Sequence, residues 1–207
     1  MNGYNPLPRI LVLDAMGVIY PFADDVVELL IPFIREKGGT ADEDLIQQAY
    51  KSASLGRMAA YQFWERVGLK HSCEDDYLSR FVLSEGLMGF LQEAGSRGIP
   101  VWCLSNDVSE WSRKLRERLG LNRNIQGFLI SADVMVRKPD PAIYKFLVKA
   151  TETDAREMLF VDDRPANLDT ALELGFATVQ FRPDGSDIPA GNHRVVGSFG
   201  ELLALLT

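Results

Sequence analysis

Residues 9–20 read RILVLDAMGVIY, and this stretch sets the frame for the rest of the chain. Four apolar residues, Ile10–Leu13, run without a polar interruption into Asp14. An unbroken apolar run of this length is typical of a β-strand that is covered on both faces of its sheet. Further short runs of the same kind follow at 100–104, Gly127–Ile130, 158–161, 178–181 and Arg194–Val196.

Stretches with helical spacing separate these runs. This alternation predicts parallel strands joined by crossover helices, and hence a doubly wound, Rossmann-like α/β sheet. Asp107, with Glu110 three residues later, has the spacing of a capping box, and Asp140 precedes a proline at a first helical position. Pro165 and Gly175 mark the start and end of another helix, and residues 183–193 have the composition of a loop.

The first two predicted strands are separated by roughly 80 residues, whereas a crossover connection needs only about a dozen. Apolar residues recur with helical spacing at 26–37, 43–54, 59–67 and 77–83. We therefore predict a small helical-bundle cap domain over residues 22–84. It is inserted into an α/β core domain formed by residues 1–21 and 85–207.

The composition, with 46% hydrophobic and 25% charged residues, is typical of a globular protein. A formal net charge of −7 disfavours nucleic acid as a partner. Cys73 and Cys103 lack the spacing of a metal site or a redox pair and are expected to be reduced. The first nine residues do not resemble a signal peptide and no apolar run is long enough for a membrane span, which predicts a cytoplasmic protein. We expect it to be a monomer or a homodimer.

Polar residues follow four of the predicted strands. Because ligands of open α/β sheets bind beyond the carboxyl ends of the strands, we expect these residues to meet at one edge. Carboxylates, a hydroxyl, an amide and a lysine are the groups that a divalent cation and a phosphoryl group require. In chain order they are Asp14, Ser105, Asn106, Lys138, Asp162 and Asp163.

Four motifs contain these residues: Asp-x-x-Gly-Val at 14–18, Leu-Ser-Asn at 104–106, Arg-Lys-Pro-Asp-Pro-x-x-Tyr at 137–144 and Phe-Val-Asp-Asp-Arg-Pro-x-Asn at 160–167. In this order and spacing they resemble the motifs of haloacid dehalogenase-like hydrolases. Residues 54–64, SLGRMAAYQFW, also look like the helical cap of that family. The resemblance covers nearly the whole chain.

The resemblance implies a Mg²⁺-dependent phosphatase that acts on a small phosphorylated metabolite. Asp14 would be the nucleophile and form an aspartyl phosphate. Mg²⁺ would be held by Asp14, the main-chain carbonyl of Met16 and Asp163, with Asp162 beside them. Asn167 would orient the acidic pair.

The same resemblance implies a phosphate-binding set. Backbone N–H groups of Met16 and Gly17 would bind phosphoryl oxygens together with Ser105 and Asn106. Lys138 would bind the phosphoryl group as well and neutralise charge on both the nucleophile and the phosphate.

Met16 departs from the family pattern, because phosphatases of the family usually carry a second aspartate there. That aspartate protonates the leaving group and activates water, and such acid–base help is typically worth ~10²–10⁴-fold in rate. A thioether does neither, so the sequence predicts low activity or substrates with good leaving groups, such as sugar 1-phosphates, acyl phosphates and aryl phosphates. Two alternatives stay open, a 2-haloacid dehalogenase and a catalytically weak protein that binds a phosphorylated ligand. The pair Asp162 and Asp163 favours the phosphatase, because haloacid dehalogenases generally lack the metal-binding acid.

Substrate choice is expected to depend on the cap. The candidates for lining or gating the pocket are Phe22, Arg57, Tyr61, Phe63 and Trp64, although Phe63 and Trp64 have the spacing of core residues. His71 and His193 match none of the motifs and are expected at the surface.

Overall fold

The fold is described from a computed structural model that covers residues 8–183 and 189–206. Six strands form one parallel sheet with the order β3-β2-β1-β4-β5-β6. This confirms the predicted doubly wound sheet and places β1 at its centre. The first seven residues of the predicted core and part of the predicted 183–193 loop lie outside the described residues. The strands are β1 Ile10–Leu13, β2 Val101–Ser105, β3 Gly127–Ile130, β4 Met158–Asp162, β5 Ala177–Phe181 and β6 Arg194–Val196.

Two of these strands end one residue later than predicted. β2 includes Ser105 and β4 includes Asp162, so both polar side chains are fixed by strand backbone rather than by a loop. Pro100 stays outside β2, although its carbonyl accepts a hydrogen bond from the Leu11 N–H at 3.0 Å. Proline has no N–H to donate to a neighbouring strand, which accounts for the later start of β2.

Helices follow in the expected alternation. They are α1 Ile31–Glu36, α2 Glu43–Ala53, α3 Ala60–Arg66, α4 Glu74–Ser79, α5 Leu87–Ser96, α6 Ser109–Arg118, α7 Ser131–Val134, α8 Pro141–Thr151, α9 Pro165–Glu173 and α10 Phe199–Ala204. A π-helical turn, Val26–Leu30, precedes α1, and a 3₁₀ turn, His71–Cys73, precedes α4. No helix within residues 8–183 and 189–206 combines the length and apolar character needed to cross a membrane.

The central strand shows why the sheet is covered on both faces. Successive side chains of a strand point to opposite faces. Ile10 and Val12 pack with buried residues of α8 and α9, whereas Leu11 and Leu13 pack with α5, α6 and α10. Two separate cores therefore enclose the sheet.

The helical segment between β1 and β2, taken here as residues 22–84, is joined to the sheet through aromatic packing. Trp64, Tyr77 and Trp111 lie with ring centroids 5.2–5.5 Å apart, and Trp111 belongs to α6. The buried carboxylate of Glu74 accepts hydrogen bonds from Nε1 of Trp64 (2.9 Å) and Nε1 of Trp111 (2.8 Å). Lys114 Nζ lies 2.7 Å from the same carboxylate. A buried charge satisfied from two sides thus holds α4 against α6.

The chain leaves the sheet and returns to it at nearly the same place. The Ser84 N–H donates to the Ile19 carbonyl at 2.9 Å. Between these points, the rings of Tyr20 and Phe22 both meet the Phe81 ring edge-on, at 5.4 and 6.0 Å. The division into a core domain and a cap domain stays a prediction, but both ends of the helical segment meet in one junction.

Three local predictions can be compared with the helix ends. Asp140 caps α8, because its carboxylate accepts from the Ala142 N–H at 2.9 Å, as predicted. The predicted Asp107 cap is wrong, because α6 begins at Ser109 and no side chain caps it. The buried Asp107 carboxylate accepts instead from the adjacent Val108 N–H. The predicted helix at 77–83 is also wrong in its bounds, since α4 begins at Glu74, where acidic residues favour a helix N-terminus.

Candidate active site

Three acidic residues meet at one edge of the sheet. Asp14 directly follows β1, Asp162 is the last residue of β4, and Asp163 follows it; β1 and β4 are neighbours. Carboxylate oxygens of all three lie within 4.8 Å of one another, and all three residues are buried. Such a concentration of buried negative charge has to be balanced by cations or protons.

Lys138 supplies one of the cations. Its Nζ lies 2.7 Å from Oδ1 of Asp14 and 2.8 Å from Oδ2 of Asp162. Burial works to lower the pKa of Lys138, but the two carboxylates outweigh burial and raise that pKa, so the side chain stays an ammonium ion. One ammonium group beside three carboxyl groups still leaves the cluster short of positive charge.

The shortage appears in the carboxyl groups themselves. Burial is the largest influence on Asp14 and raises its pKa, the charge of Asp162 adds to this, and Lys138 opposes both; the pKa ends well above its usual range. Burial also works against the charge on Asp162, but the ammonium group and hydrogen bonds of Lys138 outweigh it and lower that pKa. A further cation at the cluster would therefore favour the ionised form of Asp14.

Asp162 is held by donors on every side. Its carboxylate accepts from Lys138, from the Arg164 N–H at 2.8 Å, and from Nδ2 of Asn167 at 3.0 Å to each oxygen. The main-chain carbonyl of Asn167 in turn accepts from the Tyr144 hydroxyl at 2.8 Å. These contacts are those that an orienting role for Asn167 requires, and the role itself stays a prediction.

Asp163 is the opposite case. It is 3% exposed, and neither of its carboxylate oxygens has a hydrogen-bond partner. Burial, followed by the neighbouring charge of Asp162, raises the pKa of Asp163 to about 7. Two unsatisfied carboxylate oxygens in the interior are unusual, because buried polar atoms are normally hydrogen-bonded.

Gly17 makes room for Asp163. Its φ of +74° lies in the left-handed region, and a Cβ at this position would lie 2.4 Å from Oδ2 of Asp163. The Gly17 N–H donates to the Phe22 carbonyl at 2.8 Å, and its binding of a phosphoryl oxygen, which would require release of this bond, stays a prediction. The contribution of Gly17 that the structure shows is its missing side chain.

The side chain of Asn106 holds the backbone of Lys138. Its Oδ1 accepts from the Lys138 N–H at 2.8 Å, and its Nδ2 donates to the Lys138 carbonyl at 3.0 Å. Both ends of the amide thus hold the backbone of the residue that bridges Asp14 and Asp162. These contacts position the lysine, and the phosphate-binding role of Asn106 stays a prediction.

Ser105 and Met16 complete the predicted set. Ser105 ends β2, beside β1, and its Oγ is buried without a hydrogen-bond partner. Met16 is 9% exposed and lines the cavity described next. A buried hydroxyl without a partner is compatible with a ligand oxygen, and the phosphate-binding roles of both residues stay predictions.

A cavity of about 820 Å³ lies over this edge of the sheet. Asp14, Met16 and Lys138 form part of its lining, and so do residues of the helical segment. The cavity is therefore a cleft with two walls, one made by strand ends and one made by helices. The helical wall consists of Asp24, Asp25, Val26, Gln47, Gln48, Tyr50, Lys51, Leu55 and Arg57.

The predicted pocket residues divide between wall and core. Arg57 lines the cavity, whereas Phe63 and Trp64 are fully buried, as their helical spacing indicated. Phe22 packs at the junction, and Tyr61 is 50% exposed and does not line this cavity.

Sequence reasoning missed Asp25, which lines the cavity and is 5% exposed. The acidic pair Asp24 and Asp25 before a helical run was the available signal. Such a pair ordinarily indicates favourable charge at a helix N-terminus, so it did not point to a buried group.

The two histidines lie away from the cavity lining. His71 is half-exposed and its Nε2 lies 3.2 Å from Glu74. The prediction of a surface position is wrong for His193, whose side chain is 1% exposed because it lies between Thr178 and Asp169, with contacts of 2.9 and 3.1 Å.

Comparisons with known proteins agree with this geometry. The sequence is 28% identical over 193 residues to D-ribitol-5-phosphate phosphatase of Bacteroides thetaiotaomicron, covering 82% of this chain and 90% of the relative. It is 25% identical over 228 residues to (S)-2-haloacid dehalogenase 1 of a Pseudomonas species, covering 96% of each. The fold is similar to that of a HAD family enzyme of Bacteroides thetaiotaomicron in complex with magnesium and inorganic phosphate, with a TM-score of 0.73, 20% identity and coverage of 86% of this chain and 95% of that one.

A sequence model of the haloacid dehalogenase-like hydrolase family matches residues 8–175. This range contains the central strand, the buried acidic cluster, the bridging lysine and the helical segment. The protein is therefore a hydrolase that belongs to the haloacid dehalogenase-like family.

Proposed function

We propose that this protein is a Mg²⁺-dependent phosphomonoester hydrolase that acts on a small phosphorylated metabolite through an aspartyl phosphate formed on Asp14. The relatives include a phosphatase and a dehalogenase, so the family alone does not choose between attack on phosphorus and attack on carbon. The choice is argued from the residues at the cavity.

The observation that carries the proposal is the state of Asp163. Its two oxygens are buried without partners, next to Asp14 and Asp162. The cluster has oxygen donors and an excess of negative charge, which fit a hard divalent cation that prefers carboxylate oxygens. Asp14, Asp163 and the Met16 carbonyl would hold Mg²⁺, with Asp162 beside them. When bound, the ion would neutralise charge on the nucleophile and on the phosphoryl oxygens.

The nucleophile is oriented by the residues around it. Oδ1 of Asp14 accepts from Lys138 Nζ and from the Ala15 N–H, the latter at 2.6 Å. These bonds fix the carboxylate at the floor of the cavity, where it can attack phosphorus in line with the leaving oxygen. Lys138 and the Ser105 hydroxyl would stabilise the charge that develops on the phosphoryl oxygens. Water then hydrolyses the aspartyl phosphate and restores Asp14.

A 2-haloacid dehalogenase is the second candidate, because Met16 gives the Asp14 loop no acid and carbon–halogen cleavage needs none. The buried acids count against it. A haloacid carboxylate near Asp14 would meet the further charges of Asp162 and Asp163, with one lysine to offset them.

The deciding experiment is a screen of aryl, acyl, sugar and polyol phosphates and of 2-haloacids, with Mg²⁺ or with a chelator. We expect phosphate release that requires Mg²⁺ and falls by at least about 10³-fold in Asp14→Asn. Asp154→Asn, the same change at an exposed turn outside the cavity, is the matched control. Halide release that does not require metal would replace the phosphatase by the dehalogenase. Binding of inorganic phosphate without any turnover would instead identify a catalytically weak ligand-binding protein.

A further inference from the structure

The phosphatase proposed above lacks a proton donor in the loop that carries the nucleophile, because Met16 has no acidic group. We propose that Asp25, from the helical segment, is the general acid and base of the reaction and takes the place of an acid at position 16. This inference rests on the proposed phosphatase activity and adds a catalytic residue to it.

Asp25 is identified by comparing the acids that line the cavity. They are Asp14, Asp24, Asp25 and Asp140. Asp14 is the proposed nucleophile, and Asp140 caps α8 with an exposed side chain. Asp24 accepts from the Val27 N–H at 3.2 Å and lies 3.6 Å from Nη2 of Arg164. Among the acids of the described lining, Asp25 remains for proton transfer.

The Asp25 side chain has no structural task that explains its burial. It precedes the π-helical turn at Val26, yet its carboxyl makes no capping hydrogen bond with that turn. Asp25 is only 5% exposed, and its Oδ2 has no hydrogen-bond partner. A buried, unpartnered carboxyl oxygen at the wall of a cavity is available to a ligand in that cavity.

The surroundings keep Asp25 able to exchange a proton near neutral pH. Burial is the main cause that raises its pKa to about 7, and the charge of Asp24 adds to it. Arg137 and Arg164 oppose the rise. Three further groups lie close enough to be affected by the charge of Asp25, the carboxyl of Asp107 and the hydroxyls of Tyr50 and Tyr77, and each has a raised pKa. An acid–base catalyst works best with a pKa near the working pH.

The proton balance of the two steps is simple. As Asp14 attacks phosphorus and the P–O bond to the leaving group breaks, protonated Asp25 gives its proton to the leaving oxygen and becomes a carboxylate. In the second step that carboxylate takes a proton from water as the water oxygen attacks phosphorus. The bond between phosphorus and Asp14 breaks, phosphate leaves, and Asp25 is protonated again.

The test uses phenyl phosphate and p-nitrophenyl phosphate, whose leaving groups differ in their need for a proton. The value of kcat/KM reports the first step, and Asp25→Asn should lower it about 100-fold for phenyl phosphate but less than about 10-fold for p-nitrophenyl phosphate. Asp154→Asn, the same change at an exposed turn outside the cavity, is the matched control, and it should change the two values by the same small factor. An equal loss for both esters in Asp25→Asn, or no loss, would overturn the proposal.

A second variant separates chemistry from structure. Adding Met16→Asp to Asp25→Asn should restore phenyl phosphate hydrolysis at least about 10-fold, because it returns an acid to the nucleophile loop. If Asp25→Asn does not fold, Asp25→Glu decides: it keeps an acid, so the ratio of kcat/KM between the two esters should stay within about 3-fold of the native ratio. A change in that ratio beyond this range, or failure of Met16→Asp to rescue a folded Asp25→Asn, counts against Asp25.

The failure of this inference can be told apart from failure of the proposed function. If the native protein releases phosphate from neither ester with Mg²⁺, or if Asp14→Asn leaves the release unchanged, the phosphatase itself is wrong and Asp25 loses its role with it. If release is metal-dependent and needs Asp14, only the behaviour of Asp25 is in question.

Discussion

The two walls of the cavity differ in how their buried charged groups are bonded. In the wall of strand ends, Asp14, Lys138 and Asp162 are bonded to one another at 2.7 and 2.8 Å. In the helical wall, Asp25 is buried with an oxygen that has no partner. Asp14, Lys138 and Asp162 thus have their geometry fixed before a ligand arrives, whereas Asp163 beside them and Asp25 in the helical wall are buried groups whose charge can change. On the proposed role of Asp25, positioning and proton transfer belong to different parts of the chain.

The largest expected effect comes from breaking the first wall. Lys138→Met removes the ammonium group and leaves two buried carboxyl groups without their cation. We expect a loss of about 3–5 kcal/mol in the free energy of unfolding at pH 7.5, measured by urea denaturation, and at least about a 10³-fold loss of phosphatase activity. A loss of stability below about 1 kcal/mol would mean that the charges of this wall do not depend on one another.

The next effect separates packing from chemistry. Glu74→Ala removes the acceptor for Nε1 of both Trp64 and Trp111, which are buried. We expect a loss of about 2–4 kcal/mol in urea denaturation, because two buried N–H groups lose their partner. Phosphatase activity at low temperature should stay within about 3-fold, since Glu74 does not line the cavity.

Glu74→Gln is the control for this prediction. It keeps an acceptor oxygen for the indole N–H groups and should cost less than Glu74→Ala. Equal costs would show that the negative charge, rather than the acceptor, holds α4 against α6.

A smaller effect tests the space beside Asp163. Gly17→Ala introduces a Cβ that meets Asp163 at 2.4 Å in a backbone with φ of +74°. We expect a loss of about 1–3 kcal/mol in stability and a Mg²⁺ affinity, measured by calorimetry, that is at least about 10-fold weaker.

Gly98→Ala is matched to it, because Gly98 has a φ of +71° and nothing within 4 Å of the added Cβ. It should show the backbone cost with unchanged Mg²⁺ affinity. If both variants weaken Mg²⁺ binding equally, the contact with Asp163 is not the reason.

The smallest effect concerns the helical wall and pH. The pKa of Asp25 is raised to about 7 in the folded protein, so the folded state binds this proton more tightly than the unfolded chain. The resulting stability is present at low pH and is lost as pH rises through 7. Between pH 6 and pH 7 the loss from this group amounts to about 1 kcal/mol. With a chelator present, the free energy of unfolding of Asp25→Asn should therefore fall by about 1 kcal/mol less between pH 6 and pH 7 than that of the native protein. Parallel curves would mean that Asp25 has an ordinary pKa.

The strand-end wall could be foreseen because its residues are tied to a repeating geometry. Parallel strands end at one edge, so residues that follow them meet there regardless of loop details. The sequence therefore placed Asp14, Lys138, Asp162 and Asp163 together, and the structure brings them within a few ångströms. The doubly wound parallel sheet followed from the same pattern, whereas the order of its strands came from the structure alone.

What the sequence missed depends on loop conformation and burial. The Gly17 amide is engaged by Phe22, and both ends of the Asn106 amide are engaged by Lys138; neither contact has a periodic signature. Asp25 was hidden for a different reason. An acid before a helix is ordinary, and only its tertiary surroundings show that it is enclosed.

The junction between Ile19 and Ser84 has a consequence for how such proteins diversify. Since a hydrogen bond of 2.9 Å joins the point of departure to the point of return, closure of this junction does not depend on the length of what lies between, and the shape is constrained instead by the packing of Trp64 and Glu74 against α6. Segments can be exchanged at surface positions whose ends are close together. A designer could therefore graft a foreign helical insert at this joint, with a matching surface for α6, and change the helical wall of the cavity while Asp14 and Lys138 stay in place.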